Sequence, residues 1–240
     1  MKRPSGTRAR RTRPSLASPT ARTPRPARAA GAAPTAAVSA APAGASAGRP
    51  LAHASTVGPL AGVRVLDLTS VVMGPFATQI LASLGADVIK IESPEGDNMR
   101  HVGPMRNAGM GHIFLHGNQG KRSVVLDLKQ PAAQRVAMQL AEQCDVLISN
   151  IRPKALARLG LDHESVRARN PRVIHVSAVG FDPNGPAAGK PAYDDLIQGA
   201  AGIPWLMQQY TGGEPLYAPV TMADRVTGLH ACLLYTSRCV

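Results

Sequence analysis

The 240-residue sequence carries 27 Lys and Arg against 15 Asp and Glu, a net charge of +12 that invites a nucleic-acid reading. The distribution disfavours it: residues 1–58 hold ten basic and no acidic residues, which leaves a near-neutral body of 17 basic and 15 acidic. Polyanion binding by the tail stays a distant alternative. Hydrophobic residues at 44% support a packed core, but no run approaches the roughly 18 apolar residues of a membrane span. The three cysteines form no CxxC pair, which excludes a disulfide scaffold and a zinc ribbon.

In chain order, residues 1–58 come first. They are rich in Ala, Arg, Pro, Ser and Thr, with eight prolines between Pro4 and Pro50. Such a composition buries too little apolar surface to offset the entropy of ordering, and it predicts a disordered basic tail. Its Arg-rich, acid-free character partly fits an organelle transit peptide. Pro4, Pro14, Pro19, Pro24 and Pro26 interrupt the helix such a peptide needs, so a cytoplasmic location is expected.

The body alternates strand and helix signals. Val63–Leu68 is an aliphatic, β-branched run that predicts a buried strand. Gly74-Pro75 opens a helix whose apolar face is Phe76, Ile80, Leu81 and Leu84, and Gly85 stops it. Asp87–Ile91 and Ser123–Asp127 are the second and third strands. Pro131 opens a helix with Ala133, Val136, Ala137, Leu140 and Ala141 on one face. Asp145–Ser149 and Val173–Ser177 are the fourth and fifth strands. Alternation of this kind predicts βαβ units and a doubly wound, mostly parallel α/β sheet. Ligands of such sheets bind outside the carboxyl ends of the strands, which singles out residues 69–75, 92–97, 150–153 and 180–185. At the far end, residues 232–240 read as a translated sequencing-adapter scar, which would leave Cys144 as the native cysteine.

Three ligand classes are set aside on the residues. Thr69–Pro75 contains one glycine, so the GxGxxG turn of a dinucleotide site is missing, and no Walker A loop occurs. His112 and His116 have the spacing of a helical metal pair. With Ile-Phe-Leu between them and no carboxylate nearby, they read as partly buried histidines, and no metal is expected.

An ordered series of motifs carries more information. Residues 59–69 (PLAGVRVLDLT), Gly74-Pro75 and residues 84–92 (LGADVIKIE) come first. Residues 121–129 (KRSVVLDLK), 145–153, 159–161 (LGL), 170–177 (NPRVIHVS) and Gly180-Phe181 follow, then Tyr193-Asp194 and residues 223–230 (ADRVTGLH). Over residues 59–231 this series resembles family III CoA-transferases of the CaiB/BaiF type.

The resemblance implies transfer of CoA from an acyl-CoA to a free carboxylic acid, with no tightly bound cofactor. It makes Asp224 the nucleophile, since a carboxylate that attacks a thioester yields a mixed anhydride still activated for transfer. Helix capping is the ordinary alternative for an Asp at this position. The resemblance implies CoA contacts for Val72, Met73, Leu126, Lys129, Asn150, Ile151, Arg152, Arg158 and Tyr193. Arg158 would face a phosphate, which suits the planar guanidinium fork. Val72 stands where some members carry a polar CoA contact, and Ser93 and Pro191 depart from the pattern of the formate- and oxalate-specific members. Tyr193 stands where the sister 2-methylacyl-CoA racemases have a histidine, which favours transfer over racemisation, because racemisation needs two bases. The resemblance also implies an interlaced homodimer, and a second domain and a glycine-rich covering loop after Asp224. A chain without them is expected to be inactive by itself. No specific nucleic-acid partner and no membrane partner are expected.

Overall fold

The computed structural model describes residues 57–239, and the expected basic tail falls almost wholly outside them. Five strands form one all-parallel sheet in the order β3-β2-β1-β4-β5. They are β1 (Arg64–Leu68), β2 (Asp87–Glu92), β3 (Arg122–Val125), β4 (Val146–Ser149) and β5 (Ile174–Ser177). The order reverses between β1 and β4, so the crevice of a doubly wound sheet opens beyond Leu68 and Ser149.

Each face of the sheet has its own helices. Val65, Val88, Val146, Ile148 and Val176 point to one face, packed under Ala77 and Leu81 of α1 (Met73–Ser83) and Ala231 and Cys232 of α8 (Met222–Leu233). Leu66, Leu68, Ile91 and Leu147 point to the other. There they meet α3 (Pro131–Ala141), α4 (Pro153–Arg158) and α5 (His163–Arg167) through Ala137, Ala141, Leu156 and Val166. Alternate residues of each strand thus feed different cores, as the pleat requires. The short α2 (His112–Gly117) precedes β3, and α6 (Asp194–Ala200) and α7 (Ile203–Thr211) lie between β5 and α8.

The five strands match the sequence reading to within two residues. β3 ends at Val125 rather than Asp127: Leu126 N still donates to Glu92 O, then Asp127 Oδ1 accepts from Lys129 N and turns the chain away. The buried side of α1 is Ala77, Thr78 and Leu81, while Phe76 and Ile80 flank it half-buried. Thr78 faces inward because its hydroxyl donates to Asp67 on the sheet. In α3 the buried stripe is Ala133, Ala137 and Ala141, and Val136 is exposed. His112 and His116 are both exposed rather than partly buried. Among the described residues no group of His, Cys, Asp or Glu is placed to hold a metal ion. No described helix is long and apolar enough to cross a membrane.

Candidate active site

The strand ends on the α1 face carry charge rather than hydrocarbon. Asp67 and Lys90 are neighbours in the β1–β2 register, and Lys90 and Ser123 in the β2–β3 register, with Glu92 two residues further along the same face. Asp67 is fully buried. Its Oδ1 accepts from Thr69 N (2.9 Å) and Thr69 Oγ1 (2.5 Å), and its Oδ2 from Thr78 Oγ1 (2.6 Å) and Lys121 Nζ (3.0 Å). Burial alone would raise its pKa, but the Lys121 and Lys90 ammoniums and the two hydroxyls hold it below the usual aspartate value. Lys121 uses all three donors, on Asp67, Pro75 O and Asn118 Oδ1. Burial brings it down to about 8, even with Asp67 opposing. Glu92 receives a two-pronged grip from Arg100 (2.7 Å on each oxygen), plus Ser123 Oγ and Asp97 N. Burial again pushes upward, and these donors bring it down to about 2. Arg100 in turn stacks 3.7 Å over the Phe114 ring.

This network grips the loop between β1 and α1. Lys90 Nζ donates to Thr69 O (2.6 Å) and pairs with Asp97 Oδ2 at 3.1 Å. Asp97 Oδ1 accepts from Val71 N at 3.2 Å. From across the crevice Asn150 closes two bonds on Ser70, accepting from its N–H (3.1 Å) and donating to its carbonyl (2.8 Å). Val71 sits at φ 75°, a left-handed conformation that a β-branched residue adopts at a cost.

The loop delivers Met73 to a small cleft. The lining is Met73, Val179, Gly180, Ala192, Ile197, Ala223, Asp224 and Thr227. Asp224 is half-buried in the first turn of α8. Among the described residues no hydrogen bond reaches its carboxylate, whereas its backbone N–H donates to Asp194 Oδ1 at 2.9 Å. Asp194 opens α6 and is itself held by Gln198 Nε2 (2.6 Å), a buried amide that also bonds Val220 O and Ala218 N. Burial, then the negative charge of Asp194, pushes the Asp224 carboxyl up to about 6, with Arg225 opposing. A carboxylate of that basicity is still mostly ionised at pH 7 and is a better nucleophile than an exposed one. α8 lies close on α1 because residue 228 is glycine: a Cβ there would stand 2.7 Å from Met73 O and 3.1 Å from the Phe76 ring.

The residues singled out from sequence are placed as follows. Met73 and Asp224 share the cleft, and Val72 is the residue before α1. Asn150 reaches the same loop through Ser70. Leu126 and Ile151 pack on one apolar cluster beneath the strand ends. Arg152, Lys129 and Arg158 are exposed, with Arg158 Nε donating to Lys154 O. Tyr193 is 68% exposed and does not line the cleft. Sequence reading missed Asp67, Lys90, Asp97 and Lys121. The available signal was a charge inside each of two otherwise apolar strand runs, at positions that share a face.

Comparison with known proteins identifies the family. Residues 60–237 match the model of CoA-transferase family III. The succinate–glutarate CoA-transferase of Agrobacterium fabrum is 41% identical over 183 residues, covering 72% of this chain and 45% of that protein. The succinyl-CoA:glutarate CoA-transferase of Mus musculus is 38% identical over 188 residues, 77% of this chain and 42% of that one. A crystal structure of a CaiB/BaiF family protein from Brucella suis superposes with a TM-score of 0.70 at 37% identity, covering 76% of this chain and 49% of that one. The chain thus spans less than half the length of the curated relatives it matches. On these grounds the chain belongs to CoA-transferase family III.

Proposed function

We propose that the whole protein moves CoA from an acyl-CoA to a free carboxylic acid, with Asp224 as the nucleophile. The observation that carries this reading is a half-buried carboxylate in a small cleft, raised in basicity by burial and then by a second carboxylate, and with no ion pair among the described residues. In the first step an Asp224 oxygen attacks the thioester carbonyl, the C–S bond breaks, and CoA leaves as its thiolate. The thiolate then attacks the aspartyl carbonyl of the mixed anhydride, releasing the donor acid and leaving CoA as an aspartyl thioester. The acceptor carboxylate attacks that thioester and expels the thiolate. The thiolate attacks the acceptor's acyl carbon, which restores Asp224. Met73, Val179, Ala192 and Ile197 supply the apolar part of the cleft wall, which limits the access of water to the anhydride.

Relatives named for succinate and glutarate support short dicarboxylates as the first substrates to assay. CoA would lie along the strand ends near Leu126, Asn150, Ile151 and Arg152, with Lys129 and Arg158 toward its phosphates. The exposed apolar side chains of α7 and α8, among them Trp205, Leu206 and Leu229, fit burial in a homodimer.

Racemisation is the competing reading. A tyrosine outside the cleft supplies no second base from that position. Hydroxylamine added during turnover tests the proposal, because it derivatises an activated carboxyl and spares a resting one. Label on Asp224 together with ping-pong kinetics is expected. Exchange of α-protons without CoA movement would overturn the proposal and favour the racemase.

A further inference from the structure

We propose that the buried Lys90–Asp97 pair is a positioning latch: it holds the β1–α1 turn in its strained left-handed form and thereby sets α8 and Asp224. This inference rests on the CoA-transfer reading for its kinetic test only.

The turn is held almost atom by atom. Thr69 donates to Asp67 through its N–H and gives its carbonyl to Lys90, and the Val71 N–H goes to Asp97. Lys90 and Asp97 are each about 1% exposed. The second oxygen of Asp97 has no well-directed hydrogen bond, and the ammonium 3.1 Å away compensates it by charge. A pair so deeply buried adds little net stability, since desolvation offsets most of its attraction. Its geometric effect is larger, because both members end on the turn that holds Val71 at φ 75°. Among the described residues Val71 is the one non-glycine with positive φ. Left to itself a valine would leave that region, taking residues 72 and 73 with it.

The consequence reaches the nucleophile by contact. Met73 follows the turn, lines the cleft with Asp224, and abuts Gly228 one turn further along α8. Movement of Met73 therefore presses on the helix that carries Asp224. Lys90 and Asp97 touch no reacting atom in this scheme, so they are positioning residues.

Two substitutions separate positioning from stability. Lys90→Met with Asp97→Leu replaces the pair by apolar groups of similar size and leaves no unpaired charge. It frees the Thr69 carbonyl and the Val71 and Met99 N–H groups, so the melting temperature is expected to fall by a few degrees without loss of folding. Amide exchange at Ser70–Met73 should accelerate, and kcat/KM in the whole protein should fall by about 100-fold, the size of effect an ångström of misplacement gives. Adding Val71→Gly removes the strain the latch opposes, and it should restore both readouts toward the parent. Should the double substitution fail to fold, Val71→Gly alone is the test. With the latch intact it should leave exchange at Ser70–Met73 as slow as in the parent. Parent-like exchange and kcat/KM without the ion pair, failure of glycine to restore them, or faster exchange in Val71→Gly alone would each overturn the latch. A parent protein with no CoA transfer would overturn the transferase reading, while the exchange measurements would still decide the latch.

Discussion

Two groups of carboxylates sit within this small fold, and the protein treats them in opposite ways. At the ends of β1 and β2, Asp67, Glu92 and Asp97 each meet a cation, and both Asp67 and Glu92 are held below their ordinary pKa values. On α6 and α8, Asp194 accepts from the Asp224 N–H, and neither carboxylate has an ion pair among the described residues. Burial, then the Asp194 charge, pushes Asp224 up to about 6. Ionisation of Asp67 and Glu92 stabilises the fold, whereas ionisation of Asp224 strains it. Charge held against its own stability is what a nucleophile awaiting a reaction requires.

The contrast breaks most completely at Asp224. Asp224→Asn keeps the size of the side chain, which caps nothing in the structure, but removes the proposed nucleophile, so transfer should fall by at least about 1,000-fold. The melting temperature at pH 7 should hold or rise, because a strained negative charge has gone. A large thermal loss would move Asp224 into the structural group.

Asp67 should answer the other way. Asp67→Ala strands the Lys121 ammonium in the core, and breaking such a pair costs about 3–5 kcal/mol. For a domain of this size that is a fall of roughly 10 °C in melting temperature. An unchanged melting temperature would show that Lys121 sheds its proton without penalty.

pH sharpens the comparison further. The folded protein holds the Asp224 proton more tightly than the unfolded chain, so this group's contribution to stability falls as pH rises from about 4 through 6. Glu92 runs in reverse: its contribution is complete above about 4.5 and is lost as pH falls toward 2. Denaturation curves of Asp224→Asn and Glu92→Gln against pH should remove one limb each. The rate profile of kcat/KM should rise with an inflection near 6, and a flat profile would exclude Asp224 as the titrating nucleophile.

The smallest effect is expected at the surface. Arg158→Gln and Lys129→Gln remove exposed cations, so the melting temperature should not move while KM for acyl-CoA rises several-fold. A thermal loss with unchanged KM would make them structural.

Much of this contrast was out of reach of the sequence. Periodicity placed five strands, α1 and α3, because parallel strands buried on both faces read as unbroken apolar runs. The motif series singled out Asp224, which lines the cleft, and Tyr193, which does not. What pattern could not give was register. Asp67 and Lys90 are 23 positions apart, and only strand pairing brings them side by side. The left-handed Val71 was equally hidden, since a β-branched residue is the last that local propensity would put there. α4 to α7 are short and take their form from what they pack against, which a local pattern does not encode.

The packing of α8 on α1 also fixes when the site can exist. From Met73 to Met222 the chain runs about 150 residues, and the helix bearing the nucleophile docks across that whole interval. A ribosome adding 5–20 residues per second leaves roughly 8–30 s between the two helices. Throughout that time the sheet can close while the outer face of α1 waits uncovered. Contacts of such long sequence separation form late, so the cleft that holds Asp224 takes shape after the sheet beneath it.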